Sequence, residues 1–435
     1  MMPSGSHVAP ARRVAIIGGC RTPFAKSGSV LKDVSAIDLA RHATVELVHR
    51  LELDGDLVDE MYFGQVVASP LAPNLAREVS LLPQFPRDIP AASVNRACAS
   101  ANTAIAIGAD QIAAGRADVV ISGGAEALSD IPILHSRSFS EKLVAFSRAR
   151  SFGRRLALLA SLRPRDFVPI TPAIAEPSTG ESMGQSAEKM AKMNGISREA
   201  QDRWALESHQ RAHAGTVDGR LTAEIAPFFL PDGSVVATDN GVRAETTFAQ
   251  MAKLPPVFDR AHGTVSAANS SPLTDGGSAV LLMSEEKAVA LGYQPIAWIR
   301  SHAVAAVDPG WQLLMGPAIA VPRALERAGI TWNDLGLVEM HEAFAAQVLS
   351  NIQAFESPAW AAEHLGRSTA IAPRVDRDTL NVMGGSIAIG HPFGATGGRV
   401  TITLANEMRR RGVQFGLISV CAAGGMGFAM VLELA

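Results

Sequence analysis

The order of secondary structure predicted for the first third of the chain recurs in its last third. In the first third, a helix that is apolar on nearly every face is predicted at Ala101–Ala114, and a strand follows it at Asp118–Ser122. In the last third, a glycine-rich loop at 381–398 leads into a helix that ends near Arg411, and a strand follows at Gly416–Val420. Alternating strands and helices predict a parallel sheet covered by helices. The repetition predicts two similar α/β halves packed face to face, with an active site at their junction.

A shorter sequence echo supports this duplication. Leu57–Met61 is similar to Leu337–His341, and each segment follows an acidic residue and a helix. The apolar stretch Phe415–Leu432 is uncharged and long enough to raise the question of a membrane span. Its Gly424 and Gly425 instead predict two buried strands joined by a tight turn.

A change of composition divides the chain into parts. Between about 128 and 260 it becomes rich in Arg, Pro, Ser and Gln, and two polar helices are predicted there, one of them capped by Ser197. We therefore predict an inserted loop domain at 128–260, an N-terminal half at 12–127 with 261–295, and a C-terminal half at 296–435. Residues 1–11 lack the basic and apolar regions of a signal peptide and are predicted to form a disordered tail.

Composition restricts the class of protein. Hydrophobic residues make up 47% of the chain and aromatic residues only 5%, which indicates a core of small aliphatic side chains with tight helix-on-sheet packing. The formal net charge of −3 argues against nucleic-acid binding. The three cysteines are too few for a disulfide framework and form no Cys-x-x-Cys motif. The sequence therefore predicts a cytoplasmic protein without a metal site.

Three short segments carry side chains that can transfer protons. Cys98 precedes the helix predicted from Ala101, where the helix dipole and free N–H groups are expected to lower the pKa of its thiol. His391 lies between glycine and proline in a loop too polar for core filling, which indicates a base. Cys421 ends a strand beside a glycine turn and is a candidate second acid or base. A lone cysteine in an apolar segment is more often a buried structural residue than a nucleophile. Cys20 ends a strand and has no glycine turn or helix start beside it, so it is predicted to be structural.

Two further motifs need separate interpretation. His341 is a candidate to orient a water or donate a hydrogen bond to a substrate oxygen, but Ala345 stands where a metalloprotease helix has its second histidine. The run Gly180–Gly184 matches the G-x-S-x-G nucleophile elbow, but no buried strand precedes it. Neither a zinc protease nor a serine hydrolase is therefore indicated.

Several long motifs together resemble the thiolase family over nearly the whole chain. They are Arg21–Phe24, the Cys98 segment, Gly123–Glu126, Gly263–Gly276, the His341 segment, Gly384–Pro392 and the Cys421 segment. The resemblance implies the thiolase fold, with two βαβαβαββ halves in a layered α-β-α-β-α arrangement and an inserted loop domain. His341 and Ser182 stand where short-chain biosynthetic members have Asn and His. These differences favour the degradative 3-ketoacyl-CoA thiolases that form the β-subunit of fatty-acid oxidation complexes.

The resemblance also implies roles for individual residues. Cys98 would be the acylated nucleophile, His391 the base that activates it, and Cys421 the acid or base that acts on the second substrate. His341 and His391 would form one oxyanion hole, with a water. The backbone N–H groups of Cys98 and Ala423 would form the other. The implied reaction is ping-pong cleavage of a 3-ketoacyl-CoA to acetyl-CoA and a shortened acyl-CoA.

The ligands implied by the resemblance are acyl-CoA and coenzyme A, with coenzyme A as co-substrate and no permanently bound cofactor. Ser271 would contact its pantetheine, and the inserted domain would cover its nucleotide. A homodimer or homotetramer is implied. The basic segment 137–166 carries Lys142 and seven arginines against Glu141 and Asp166. It suggests docking to a hydratase/dehydrogenase α-subunit or contact with a membrane surface, although a solvated helix face is the simpler interpretation.

Three alternatives remain open from the sequence. One is a short-chain acetoacetyl-CoA thiolase that works in the condensation direction. Another is a ketoacyl synthase, which would have two histidines and no second catalytic cysteine, so Cys421 argues against it. The third is a non-catalytic acyl-CoA-binding protein, which would tolerate the loss of Cys98 or His391, and both are present. Acyl chain length and reaction direction cannot be predicted from the residues.

Overall fold

The computed structural model describes residues 12–170 and 175–435, so the tail predicted at 1–11 lies outside the described residues. The strands of the described chain are β1 (Val14–Arg21), β2 (Ala25–Lys26), β3 (Glu60–Gly64), β4 (Ala91–Val94), β5 (Val119–Ala127), β6 (Phe228–Phe229), β7 (Val235–Val236), β8 (Thr274–Ser284), β9 (Ala297–Ala306), β10 (Leu337–Met340), β11 (Phe415–Ala422) and β12 (Met426–Leu434). Its α-helices are α1 (Ala36–Arg50), α2 (Leu75–Ser80), α3 (Ser100–Ala113), α4 (Arg137–Arg148), α5 (Phe152–Ala160), α6 (Met183–Met193), α7 (Arg198–Val217), α8 (Phe248–Ala252), α9 (Glu285–Leu291), α10 (Gly316–Ala328), α11 (Ala345–Glu356), α12 (Pro358–Leu365), α13 (Ser386–Ile389) and α14 (Thr396–Arg411).

The strand order confirms the predicted duplication. The main sheet has the order β10-β11-β12-β9-β1-β8-β5-β3-β4, with β2 paired to β8. In the N-terminal half, β3 lies parallel to β4 and β5 on either side. In the C-terminal half, β10 lies parallel to β11, and Val338 of β10 forms a parallel bridge with Leu380. Leu380 therefore occupies the place that β4 has in the first half.

The helices cover the strands in the predicted α-β-α-β-α layers. Helices α1 and α2 pack on the outer face of the N-terminal strands, and α10 and α11 pack on the outer face of the C-terminal strands. Helices α3 and α14 lie between the two sets of strands in a shared apolar core. The halves are also joined at their edges, where Ala15 and Ile16 of β1 pair with Trp298 and Ala297 of β9.

The two central helices pack closely at their N-terminal ends. A Cβ on Gly397 would lie 2.4 Å from the backbone nitrogen of Asn102, so only glycine fits there. The Asn102 side chain donates a hydrogen bond to the Gly397 carbonyl at 3.1 Å. Because Cys98 precedes α3 and His391 precedes α14, this contact brings the two loops that carry them to the same end of the layer.

Local sequence signals account for most helix boundaries. The hydroxyls of Ser35 and Ser197 cap α1 and α7 by accepting backbone N–H groups three residues on. Gly412, at φ 66°, ends α14. The helix predicted to follow Gly398 begins earlier, at Thr396, because its two glycines allow close contacts instead of breaking the helix: Gly397 lies against α3 and Gly398 against Ser278 of β8.

Residues 131–175 form a compact unit separate from the rest of the chain. Its described residues form α4, α5 and a 3₁₀ turn at Pro164–Phe167, and Lys142 pairs with Asp166 at 2.6 Å. The remainder of the predicted insert, 176–260, belongs to the larger unit. The domain boundaries at 127, 260 and 295 stay predictions. None of the described helices is long and apolar enough to cross a membrane.

Candidate active site

Cys98 lies in a tight turn between β4 and α3. The residue before it, Ala97, has a φ of 44°, which is costly for a residue with a side chain. Ser100 holds this turn: its hydroxyl donates to the Ala97 carbonyl at 2.7 Å and accepts the N–H of Arg96 at 2.9 Å. The strained backbone therefore fixes the direction of the Cys98 side chain before any substrate binds.

The surroundings of Cys98 favour its protonated thiol. Burial raises its pKa to about 12, although the N–H groups of Ala423 and of Cys98 itself point at the sulfur and act in the opposite direction. The expectation that the start of α3 lowers this pKa is therefore wrong, because desolvation of the thiolate outweighs the nearby N–H donors. The resemblance assigns these two N–H groups to an oxyanion hole, and that role stays a prediction.

His391 is positioned to accept a proton. Its Nδ1 lies 2.6 Å from the hydroxyl of Thr396, which itself donates to the Pro392 carbonyl at 3.1 Å. The Thr396 oxygen therefore accepts from Nδ1–H, which leaves a lone pair on Nε2. Nε2 is buried and has no hydrogen-bond partner among the described residues. Burial and the charge of Arg399 lower the pKa of His391 to about 3, so the ring is neutral.

His341 lies directly beside this base. It follows β10, and its backbone N–H donates to the Ser419 carbonyl at 2.8 Å. The ring centroids of His341 and His391 are 4.1 Å apart. Burial, followed by the charges of His391 and Arg399, lowers the pKa of His341 well below its usual range. One ligand-type atom from each of Cys98, His341 and His391 lies within 4.8 Å of the others. The absence of a metal from this group stays a prediction.

Cys421 completes the cluster at the end of β11. Burial, with a further contribution from the neighbouring Cys98 thiol, raises the pKa of the Cys421 thiol well above the usual range. The turn that follows bends through Gly424 and Gly425, at φ 82° and 71°. The carboxylate of Glu176 accepts the Gly424 N–H at 2.9 Å. Glu176 thus holds the turn that presents the Ala423 N–H to Cys98, a contact the sequence did not predict.

A second buried carboxylate, Glu126 at the end of β5, joins two loops of the site. It accepts the N–H groups of Val66 at 3.0 Å, Val67 at 3.0 Å and Gly394 at 2.9 Å. Burial raises the pKa of Glu126 to about 7, against the lowering effect of these three donors. From the sequence, Glu126 is named only as part of a motif and is assigned no role, although an acidic residue inside an otherwise uncharged strand is a usable signal.

Glu342 fixes the backbone around His341. Its buried carboxylate accepts hydrogen bonds from Trp204 at 3.0 Å, Ser208 at 2.7 Å and Asn381 at 2.8 Å. Burial raises the pKa of Glu342. Residues of α7 and of the 381–385 loop therefore meet on this one side chain.

Ser271 lies in the loop that runs between the two histidine segments. Its N–H donates to the Ala343 carbonyl at 3.0 Å, and Leu273 nearby forms a bridge with His391. Its role toward coenzyme A stays a prediction. Ser182, the serine of the false elbow, caps α6 and exchanges hydrogen bonds with Gln185. Cys20 is buried and donates to the Ala43 carbonyl at 3.1 Å.

The charge states inferred for Cys98 and His391 can be tested directly by absorbance. A thiol whose pKa is raised and an imidazole whose pKa is lowered form a neutral pair, so we expect no thiolate from Cys98 between about pH 5 and about pH 9. The measurement is the ultraviolet thiolate absorbance of the wild type minus that of Cys98→Ala. A step in this difference near neutral pH would reveal a thiolate–imidazolium pair and contradict the expectation.

The doubled α/β fold carries two cysteines and two histidines at its centre, a group of side chains suited to acyl transfer. The family models described as thiolase, N-terminal domain, and thiolase, C-terminal domain, match residues 14–286 and 293–434. The chain therefore belongs to the thiolase family.

Individual relatives agree with this membership. The 3-ketoacyl-CoA thiolase of Yersinia pestis (strain Pestoides F) is 49% identical over 423 residues, which are 97% of each chain. Among solved structures, human mitochondrial 3-ketoacyl-CoA thiolase in complex with CoA aligns with a TM-score of 0.83 at 32% identity, over 99% of this chain and 100% of that one. The Bacillus anthracis acetyl-CoA acetyltransferase has the same TM-score at 31% identity, over 98% and 100%.

Proposed function

We propose that the protein cleaves 3-ketoacyl-CoA with coenzyme A to give acetyl-CoA and a shortened acyl-CoA in fatty-acid degradation. One observation carries the proposal: the Cys98 sulfur lies within 4.8 Å of a ring nitrogen of His391 and of His341, and the N–H of Ala423 points at it. The Nε2 atoms of both rings have no hydrogen-bond partner among the described residues. The near-half identity to 3-ketoacyl-CoA thiolases over almost the full chain supports the same reaction.

In the first half-reaction, Cys98 attacks the 3-keto carbon while its proton moves to Nε2 of His391. The new oxyanion accepts hydrogen bonds from the N–H groups of Cys98 and Ala423. Cleavage of the bond between C2 and C3 leaves the acyl group on the Cys98 sulfur. Cys421 donates its proton to the departing C2 carbon, while His341 donates a hydrogen bond to the thioester oxygen of the acetyl-CoA formed.

In the second half-reaction, coenzyme A takes the acyl group. The thiol of coenzyme A gives up its proton to the Cys421 thiolate left by the first half-reaction. The coenzyme A sulfur then attacks the acyl-Cys98 thioester and expels the Cys98 sulfur, which recovers a proton from His391. The raised pKa values of both cysteines suit this cycle because each sulfur holds its proton until substrate arrives. The enzyme ends in its starting protonation state.

A path for coenzyme A leads outward from the Ser271 loop. Lys26, His209, Arg243 and Ser270 line a small cavity, and Arg243 also lines a surface cavity of about 650 Å³ with Thr246. Within the described residues neither Lys26 nor Arg243 pairs with a carboxylate. Burial and the charges of these two residues lower the pKa of His209 to about 4. Unpaired cations suit the phosphates of coenzyme A, with Ser271 toward its pantetheine.

Replacing Arg243 with alanine should raise the KM for coenzyme A about tenfold with a smaller change in kcat, because one charge-assisted hydrogen bond is lost at an exposed site. Steady-state thiolysis at varied coenzyme A measures both constants. Arg203→Ala, which removes an exposed arginine paired with Glu199 at 2.7 Å on α7, is the matched control. Equal KM values for the two variants would contradict the proposed path.

The function itself is tested by thiolysis of acetoacetyl-CoA and of a long-chain 3-ketoacyl-CoA, measured side by side. Preference for the long chain would support fatty-acid degradation. Cleavage of acetoacetyl-CoA alone would favour a short-chain acetyl-CoA C-acetyltransferase, and the B. anthracis acetyltransferase makes this the second candidate. No cleavage of either substrate would favour a non-catalytic acyl-CoA-binding protein.

A homodimer or homotetramer in the cytoplasm is part of the proposal. Strand β4 lies at the end of the sheet order and is only partly buried, so its outer edge is available to a second copy. The three cysteines are all unpaired, which suits a reducing compartment.

The 131–175 unit supports a docking role in addition. Along α5, Phe152, Leu156 and Leu159 lie on one stripe and are 81%, 56% and 50% exposed. The neighbouring Arg154 and Arg155 are also exposed. An apolar stripe flanked by cations suits either an anionic membrane surface or an apolar groove on a hydratase/dehydrogenase α-subunit.

Replacing Arg150 and Arg154 together with serine should weaken binding to anionic phospholipid vesicles on the order of tenfold, because each surface cation contributes about 1 kcal/mol near such a membrane. Vesicle sedimentation measures this, and Lys32→Ser with Arg87→Ser is the control for lost charge elsewhere. Loss of α-subunit co-purification without any vesicle binding would favour the subunit instead. Undiminished binding to both would contradict a docking role.

A further inference from the structure

The two histidines of the site differ in the hydrogen-bond partner of Nδ1, although, in the part of the chain that the structure describes, Nε2 lacks a partner in both rings. Nε2 of both His341 and His391 is buried without a partner in the described structure. At Nδ1, His391 contacts Thr396, whereas His341 contacts the Ser386 hydroxyl at 2.9 Å. A neutral imidazole has one proton, so the partner at Nδ1 decides whether Nε2 is a donor or an acceptor.

The proton on Ser386 can be placed by counting donors. Nη2 of Arg399 donates to the Ser386 oxygen at 2.9 Å, and a guanidinium has no acceptor. No acceptor other than His341 contacts this hydroxyl in the described residues. The hydroxyl proton of Ser386 therefore points at Nδ1 of His341, which must be unprotonated, and the ring proton lies on Nε2.

Arg399 is itself held in place. Its side chain is fully buried in α14, and its Nη1 lies 3.2 Å from the carboxylate of Glu339, which is also buried. Glu339 belongs to β10, two residues before His341. The positive charge of Arg399 also opposes protonation of His341, so the ring stays neutral and has one donor.

We propose that Ser386 and Arg399 are positioning residues that keep the proton of His341 on Nε2. The two adjacent rings then have opposite tautomers: His391 presents a lone pair for the Cys98 proton, and His341 presents an N–H for a substrate oxygen. The catalytic consequence rests on the proposed thiolase function, while the tautomer itself does not. Neither residue is among those that the sequence assigned to the site.

A double-mutant cycle tests the catalytic part. Ser386→Ala should lower kcat for thiolysis roughly 10²-fold, the usual effect of losing one oxyanion donor, with little change in KM. His341→Asn replaces the imidazole with an amide whose NH₂ donates in either case. In that background Ser386→Ala should cost less than about threefold, because no tautomer is left to control. Equal losses in both backgrounds would overturn the proposal and indicate a structural role.

Ser350→Ala is the matched control for the cycle. Ser350 is a buried serine of α11 whose hydroxyl donates only to the Ala346 carbonyl of its own helix, at 2.8 Å. We expect its kcat to remain within about twofold of wild type. A loss as large as that of Ser386→Ala would contradict the proposal. Thermal unfolding of each variant shows whether the fold is kept.

The tautomer is measured without any substrate by nitrogen-15 NMR of histidine-labelled protein, with the His341 signals assigned by their absence in His341→Asn. We expect the proton on Nε2 in wild type and a shift toward Nδ1 in Ser386→Ala. A wild-type proton on Nδ1 would overturn the inference. An Nε2 proton in an enzyme that cleaves no 3-ketoacyl-CoA would leave the tautomer assignment standing and reject the proposed function alone.

Discussion

Cys98→Ala is expected to lower kcat/KM for thiolysis by roughly 10⁴-fold or more, because the acyl group then has no sulfur to bind. The other three groups of the cluster cannot replace it: both histidines are neutral, and the Cys421 thiol is buried. Thiolysis of the preferred substrate, followed by mass spectrometry of the acyl-enzyme, measures the loss. The acyl adduct should be absent from the variant.

Cys20→Ala is the matched control for that experiment. Its thiol is buried, and burial raises its pKa to about 12, but among the described residues it donates to the Ala43 carbonyl of α1 and to no other group. We expect full activity and a normal acyl adduct on Cys98. An adduct on Cys20, or unreduced cleavage by Cys98→Ala, would reject Cys98 as the nucleophile.

His391→Ala is expected to have the second-largest effect, a loss of roughly 10³-fold in kcat. A thiol with a pKa of about 12 reacts slowly unless a base accepts its proton. A ring nitrogen of His391 lies within 4.8 Å of the sulfur, and Nε2 of this ring has no hydrogen-bond partner in the described part of the chain. The variant should also slow alkylation of Cys98 by iodoacetamide, which needs the thiolate but no substrate oxygen.

His302→Ala is the matched control, because it shows how much activity is lost when a histidine side chain is removed outside the cluster. His302 lies 2.9 Å from Asp110 and stacks on Phe428, away from the cluster. Its loss should leave both thiolysis and alkylation near wild type. If His391→Ala slowed thiolysis but left the alkylation rate unchanged, His391 would act on the substrate oxygen only, and the assignment as base would be wrong.

The fold could be predicted in detail because its signals are local. The predicted cap at Ser197 is confirmed as the start of α7, and the repeated strand-loop-helix order predicted the two halves. The stretch from Phe415 to Leu432 forms the strands β11 and β12, as the glycine turn predicted. The start of α14 was misplaced because glycines usually end a helix, whereas Gly397 and Gly398 permit a contact between distant segments.

The sequence motifs predicted which residues lie together, but not their pKa shifts. The structure brings together Cys98, His341 and His391, as the sequence motifs suggest. The predicted direction of the Cys98 pKa shift was wrong, because a helix terminus can be recognised in the sequence but the desolvation of a side chain cannot. Glu126 and Arg399 were assigned no role because charged residues are normally on the surface. Each lies among apolar neighbours, and that is the pattern by which they could have been found.

The raised pKa of Cys98 has a consequence for the chemical durability of the enzyme. Peroxides oxidise thiolates far faster than thiols, and a nucleophile stored as a thiolate is exposed to them continuously. Here burial favours the protonated sulfur, which reacts only after a base has accepted its proton. The same burial that makes the resting nucleophile weak thus keeps it intact between turnovers.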